Sequence, residues 1–259
     1  MNAYALPRFS LRFVPVFRRN LLVWRKLAFA SIIGNVADPL IILVAFGYGL
    51  GSLLERVEGV PYIVYLAAGS MCMSTMMAAS FESLYSAFSR MHVQRTWESL
   101  MNAPLELDDI VIAEWAWAGA KAVLSGFAIL VVVWVLDISR APTLPLTLFV
   151  VVLTGLCFSA IGLCVNALAR GYDFFTFYFT LFITPLTFLS GVYFPMDRLP
   201  DWLAAIAHVL PLAPAVELVR PLVLGSLPSE PFVPLATLVG YTAAALYIAL
   251  VLTRRRYAR

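Results

Sequence analysis

Charge is scarce in this chain. Only 13% of the 259 residues are charged and 62% are hydrophobic, where a soluble domain carries about 25% and about 45–50%. A water-soluble globule is excluded and a polytopic membrane protein indicated. Cysteine is nearly missing: Cys72, Cys157 and Cys164 stand inside apolar runs at no metal-binding spacing, as small buried thiols rather than a disulfide framework. The two histidines, His92 and His208, are not paired with a serine by spacing, so no nucleophile–base pair emerges. No G-x-x-x-x-G-K-[ST] occurs, so no P-loop cradles ATP. No internal repeat shows. The N-terminus has no short apolar run with a cleavage site and instead scatters Arg8, Arg12, Arg18 and Arg19, so no cleavable signal peptide is expected. The net formal charge is only +3, and no nucleic-acid partner is expected.

What is present is oil in long runs. A helix needs about 20 apolar residues to cross the hydrocarbon. Six segments qualify: 29–52, 62–88, 115–137, 144–168, 174–194 and 232–252. The expected fold is an all-α polytopic membrane protein, a single transmembrane domain over residues 1–259 with both termini on one side. Basic residues orient it. On the terminal side fall Arg8, Arg12, Arg18, Arg19, Arg25, Lys26, Arg90, Arg95, Lys121, Arg170, Arg254, Arg255, Arg256 and Arg259. On the other side fall only Arg56, Arg140, Arg198 and Arg220. Both termini are therefore expected in the cytosol.

Residues 7–27, PRFSLRFVPVFRRNLLVWRKL, carry six charges and cannot span. As a helix they place Phe13, Phe17, Leu21 and Trp24 on one face, with Arg8, Arg12, Arg19 and Lys26 on another. The reading for residues 1–28 is an interfacial helix, Phe13, Phe17 and Trp24 in lipid and Arg18 and Arg19 toward anionic headgroups. A simple topology anchor is the equal alternative. Pro15 is expected to split the helix.

Two further segments break the apolar pattern. Residues 89–114 are the most polar stretch, expected as a cytosolic segment. In it Trp97, Leu100 and Met101 line one face of a short helix that Pro104 ends. Asp108 and Asp109 suit the N-terminus of the next helix. A tryptophan stripe facing water calls for a cover, either headgroups or a partner protein. Residues 195–231 contain WLAAIAHVL and VELVRPLVL, each too short to span and interrupted by prolines. They read as paired outer helices that dip into the membrane and return, their Pro211–Pro214 turn covered by protein or water.

Smaller features have plain readings. Gly47, Gly49 and Gly51 in GYGLG close a span or serve a tight helix contact. Asp197 and Asp201 in DRLPD are solvated interfacial carboxylates. Asn35 and Asp38 lie inside the first span, where Pro39 bends the helix. They serve either a substrate path or a hydrogen-bonded kink with Lys121 as counter-charge. Glu82 is expected near enough to the interface to be solvated. Candidate gate or path residues are thus Asn35, Asp38, Pro39, Gly191, Pro195, Pro211, Glu217 and Arg220.

RTWESLMNAPLELDDIVIAE and residues 184–225, TPLTFLSGVYFPMDRLPDWLAAIAHVLPLAPAVELVRPLVLG, resemble the coupling segment and the fifth span with returning helices of ABC-2 type exporter permeases. NVADP, YLAAGSM, RTWES, GYDFFTFY and LVRPLVLG look most like the permease of nodulation-type lipo-oligosaccharide exporters. The resemblance covers nearly the whole chain. It implies a non-enzymatic membrane subunit in the bacterial inner membrane, paired with a second copy of itself and two ATPase subunits. ATP and magnesium would be bound by those partners, and this chain would hold no cofactor. Arg95, Thr96, Trp97, Glu98, Leu100, Met101, Pro104 and Leu105 would couple to the ATPase. The cargo implied is an amphiphilic saccharide, a lipo-oligosaccharide or lipid-linked saccharide, entering from membrane lipid; a drug-like hydrophobe is the alternative. A stand-alone intramembrane enzyme would need converging catalytic groups that the sequence lacks. A passive channel would have no use for the tryptophan-faced helix.

Overall fold

The computed structural model describes residues 4–7, 10–54 and 56–258, without the side chains of Ala30, Asn35, Val36, Asp38 and Pro39. Helix α1 (Phe13–Arg25) leads into α2 (Ala28–Gly49) and the one-turn α3 (Gly51–Leu54). A two-stranded hairpin, β1 (Arg56–Val57) and β2 (Val60–Pro61), pairs Val57 with Val60. Its turn places Glu58 at φ +53° and Gly59 at +80°. A two-residue hairpin turn of this hand needs both, and only glycine takes such a φ without steric cost. No sequence signal flagged this hairpin.

Helix α4 (Tyr62–Phe81) continues through π-helical turns at Glu82–Ser86 and Ser89–Val93, then the short α5 (Thr96–Met101) precedes α6 (Leu107–Val135). A capping box starts α6: Asp109 accepts the Glu106 backbone N–H at 3.0 Å while Glu106 accepts from the first turn. Next come α7 (Thr147–Leu168), α8 (Asp173–Tyr178), a π-helical turn at Phe179–Ile183, and α9 (Thr184–Leu189). Then α10 (Asp201–Val209) and α11 (Ala213–Leu224) precede the long α12 (Phe232–Tyr257). Helices α4, α6, α7 and α12 form the body of the bundle. Within its apolar window α4 is 83% buried by the chain itself, and α12 only 33%. So α4 is the inner helix, and α12 leaves most of its surface to lipid or another subunit.

The chain is a multi-pass α-helical membrane protein, with differences from expectation in the spans. Four helices among the described residues are long and apolar enough to cross a membrane: Tyr62–Val93, Leu107–Val135, Leu144–Leu168 and Phe232–Tyr257. The count of six is not reached on this measure, because Leu40–Leu54 and Asp173–Leu189 are shorter apolar helices. The fifth expected span stops at Leu189 rather than residue 194, where the chain leaves the helix for Gly191 at φ +74°. The second runs to Val93 and the third begins at Leu107, so residues 94–106 alone remain of the expected polar segment 89–114. The paired short helices are present as α10 and α11, bent by 86°. The turn from Pro211 to Pro214 is buried in protein.

Helix α1 is unbroken. Pro15 falls in its first turn, where a backbone N–H would have no intrahelical partner. Its aromatic face turns to protein rather than lipid: Phe17 and Trp24 meet Trp117 of α6 edge-on at 5.7 and 6.1 Å. Phe13 is half-buried, Arg18 exposed and Leu21 exposed, so the expected single stripe is divided. The Tyr247 hydroxyl on α12 donates to the Tyr4 carbonyl at 3.1 Å, and Arg254 to the Ala5 carbonyl at 2.5 Å. The N-terminal segment and the end of α12 therefore lie on the same side.

Candidate functional site

Met73, Met77, Phe81 and Tyr85 recur every fourth residue along α4 and its continuation, which puts them on one face. Three adjoining cavities run along that face. One of about 420 Å³ lies between α1, α4 and α6, and its wall sets Arg19, Glu82, Arg90 and Lys121 among apolar groups of Trp24, Leu27 and Trp117. The next, of about 290 Å³, shares Glu82, Tyr85, Ser86 and Lys121 with it. A third, of about 500 Å³, shares Met73, Met77, Phe81 and Tyr85 with the second and continues to Phe179 and Tyr193. The walls thus change from charged to thioether and aromatic along one track.

At the polar end sits a buried charge network. Arg90 donates to Glu114 through Nε at 2.9 Å and through a terminal nitrogen at 2.5 Å, and to Glu82 at 3.0 Å. Lys121 donates to the other Glu82 oxygen at 2.6 Å, and the Trp117 indole N–H to Glu82 at 2.8 Å. Two acids and two bases balance, and each carboxylate has several donors, the condition under which buried charge is tolerated. The π-helical turns make the alignment. Eight residues along an unbroken α-helix leave side chains about 80° apart, and the wider turns shrink the step so that Glu82 and Arg90 meet. Glu82 is therefore not solvated, and Lys121 has Glu82 as its partner. Burial, and then the Arg90 cation, pull the pKa of Arg19 below its ordinary value.

The network reaches α5. The Trp97 indole N–H donates to Glu114 at 3.3 Å, and its ring stacks on Tyr257 of α12 at 6.5 Å. Trp97 is 1% exposed, so the chain itself covers the tryptophan expected to face water; the apolar face of α5 packs inward because α6 and α12 offer it an indole-sized seat. Arg95, Glu98 and Pro104 are exposed, while Thr96, Leu100, Met101 and Leu105 are half-buried. Arg95 opens the helix at φ +49°. The basic tail fixes the platform beneath: Arg254 pairs with Asp108 through Nε at 2.8 Å, and Arg256 donates to the Asn166 and Ala167 carbonyls, both at 3.0 Å.

On the far side, Gly191 and Arg220 meet as part of a clamp. Arg220 and the Tyr65 hydroxyl both donate to the Gly191 carbonyl, at 2.5 and 3.1 Å, and the Arg220 guanidinium lies 3.8 Å over the Tyr65 ring. Gly69 admits this loop onto α4: a Cβ there would stand 2.6 Å from the Val192 carbonyl oxygen. Of the other gate candidates, Pro195 is half-buried, Pro211 buried and Glu217 exposed, and none joins the clamp. Asn35, Asp38 and Pro39 have side chains outside the described residues. Sequence reasoning missed Tyr65, Glu82, Arg90 and Glu114. A signal existed for one of them, since Glu114, Trp117 and Lys121 share a face at helical spacing within an apolar run.

Residues 12–224 match the model of the ABC-2 type transporter family. The chain belongs to the ABC-2 type transporter family. It is 44% identical over 259 residues to Nodulation protein J of Rhizobium leguminosarum bv. viciae, covering 100% of both chains. To Nodulation protein J of Rhizobium meliloti it is 43% identical over 252 residues, 97% of this chain and 96% of that one. With the inner membrane transport permease YadH of Escherichia coli it shares 25% over 183 residues, 70% and 71% of the two chains. This ABC-2 chain is therefore a transporter membrane subunit, and its graded cavities and buried network are features of a transport protein.

Proposed function

We propose that this chain is the membrane half of an ATP-driven exporter that moves a lipo-oligosaccharide or lipid-linked saccharide out across the bacterial inner membrane. Two copies would pair with two separate ATPase subunits, which bind ATP and magnesium; both termini would lie in the cytosol, and this chain would carry no cofactor. The observation that supports this most is the track along α4. Its charged mouth suits a sugar headgroup and its methionine and aromatic walls suit an acyl tail. A drug-like hydrophobe would have less use for the charged mouth. The resemblance of NVADP, RTWES and LVRPLVLG to permeases of nodulation-type lipo-oligosaccharide exporters supports the same cargo class.

In mechanism, the exposed side of α5, with Arg95, Glu98 and Pro104, would seat on the ATPase. Its buried side would drive the track, because Trp97 holds Glu114, Glu114 holds Arg90, and Arg90 holds Glu82 in the cavity wall. Closure of the ATPase pair would thus move groups that face cargo. The Gly191–Arg220–Tyr65 clamp would close the far end. The test is uptake into inside-out vesicles carrying this chain and its ATPase. Labelled lipo-oligosaccharide should accumulate only with ATP and should compete poorly with a hydrophobic dye. ATP-driven accumulation of the dye with none of the saccharide would overturn the cargo assignment.

A further inference from the structure

We propose that the groove between the end of α7 and the last turns of α12 binds the headgroup of an anionic phospholipid. The groove encloses about 460 Å³ and is lined by Ala167, Leu168, Arg170, Leu252, Arg255 and Arg256. It holds three guanidiniums and no carboxylate. Among the described residues none of the three pairs with an acid, whereas nearby Arg254 pairs with Asp108 and Arg90 with two glutamates. Two of the guanidiniums are anchored: Arg256 on the Asn166 and Ala167 carbonyls, and Arg255 over the Tyr4 ring at 4.6 Å. Arg170, just beyond α7, is exposed and free to close on an anion.

Depth selects a lipid. The 26 residues of α12 rise about 39 Å at about 1.5 Å each, against about 30 Å of hydrocarbon. The arginine-bearing last turns therefore stand in the headgroup layer. The segment Leu144–Leu168 has 25 residues and ends at the same level. Leu252, about one turn before Arg255 and Arg256 on α12, lines the groove toward the hydrocarbon, and Leu168, 56% exposed, adds an apolar rim where an acyl chain would begin. A basic pocket between helix ends at this depth fits a lipid phosphodiester, and the rim gives a lipid what free phosphate lacks.

The experiment uses the full chain in phosphatidylcholine nanodiscs containing a minor share of phosphatidylglycerol, with retained lipid counted by native mass spectrometry. The wild type should retain phosphatidylglycerol. Arg170→Gln with Arg255→Gln should weaken retention about 25-fold, about 5-fold per guanidinium, with an unchanged melting temperature. Arg140→Gln, whose arginine is paired with Asp137, should change nothing. If the double variant is unstable, Arg170→Gln alone repeats the test at about 5-fold. Undiminished retention by a folded variant overturns the proposal. So does displacement of the lipid by inorganic phosphate or soluble glycerophosphoglycerol at matched concentration, which marks a free-anion site. Loss of the co-purifying ATPase with lipid retention intact marks a protein contact and overturns it equally.

Discussion

The Trp97 indole N–H donates to the Glu114 carboxylate at 3.3 Å, tying α5 to α6 across 17 residues of sequence. Because Trp97 is also stacked on Tyr257, α5 is held to two long helices at once. A charged residue in this seat would stand buried without a counter-ion. Trp97→Asp is expected to cost about 3–5 kcal/mol of stability and to abolish accumulation of folded protein. Trp97→Phe keeps an aromatic ring in the seat while losing the indole N–H and part of the buried volume, so it should still fold, with a melting temperature lowered by several degrees. Equal loss in both variants would mean that the hydrogen bond, not the buried seat, decides folding.

The Glu82–Lys121 pair tests whether the cavity network acts as one unit. Lys121→Met and Glu82→Gln should each lower the unfolding midpoint. Combined, they should cost less than the sum, with a coupling energy of about 1–3 kcal/mol. A double-mutant cycle by chemical unfolding in detergent measures it, and a value near zero would separate Lys121 from the network.

Gly69 lies where backbone meets backbone. A Cβ would meet the Val192 carbonyl oxygen at 2.6 Å, and a carbonyl cannot swing aside as a side chain can. Gly69→Ala should destabilise by about 1–3 kcal/mol. Gly240→Ala, with nothing within 4 Å of the added methyl, should be neutral or slightly stabilising. Thermal unfolding of the two variants gives the comparison, and equal midpoints would refute it.

Arg220 reaches the Gly191 carbonyl while its guanidinium sits 3.8 Å over the Tyr65 ring, a double contact that a forked guanidinium makes more readily than an ammonium. Arg220→Lys should loosen the far-side clamp and raise the ATP-independent leak of small solutes from reconstituted vesicles. A leak equal to wild type would remove the clamp from the gate.

Much of the fold was legible because lipid leaves few options: long apolar runs must be helices, and prolines and glycines mark where they stop. The acidic start of α6 at Asp108 and Asp109 and the short α10–α11 pair could be read off residues. The burial of Trp97 could not, since an amphipathic face does not say whether protein, lipid or a partner covers it. Glu82 and Arg90 misled for a related reason. At α-helical spacing they diverge, and only π-helical turns, which leave no mark in the sequence, bring them together. The first span stayed unreadable in another way, because its polar residues have side chains outside the described part of the molecule.

The most direct test concerns the two faces of α5. In vesicles carrying this chain and its ATPase, export and ATP hydrolysis are measured together for Trp97→Phe and Glu98→Lys. Glu98→Lys, on the exposed face, should lose ATPase binding and both activities. Trp97→Phe should retain the ATPase and its hydrolysis while export per ATP drops several-fold. Normal export per ATP in Trp97→Phe, with the ATPase bound, would contradict transmission through Glu114 to the cavity.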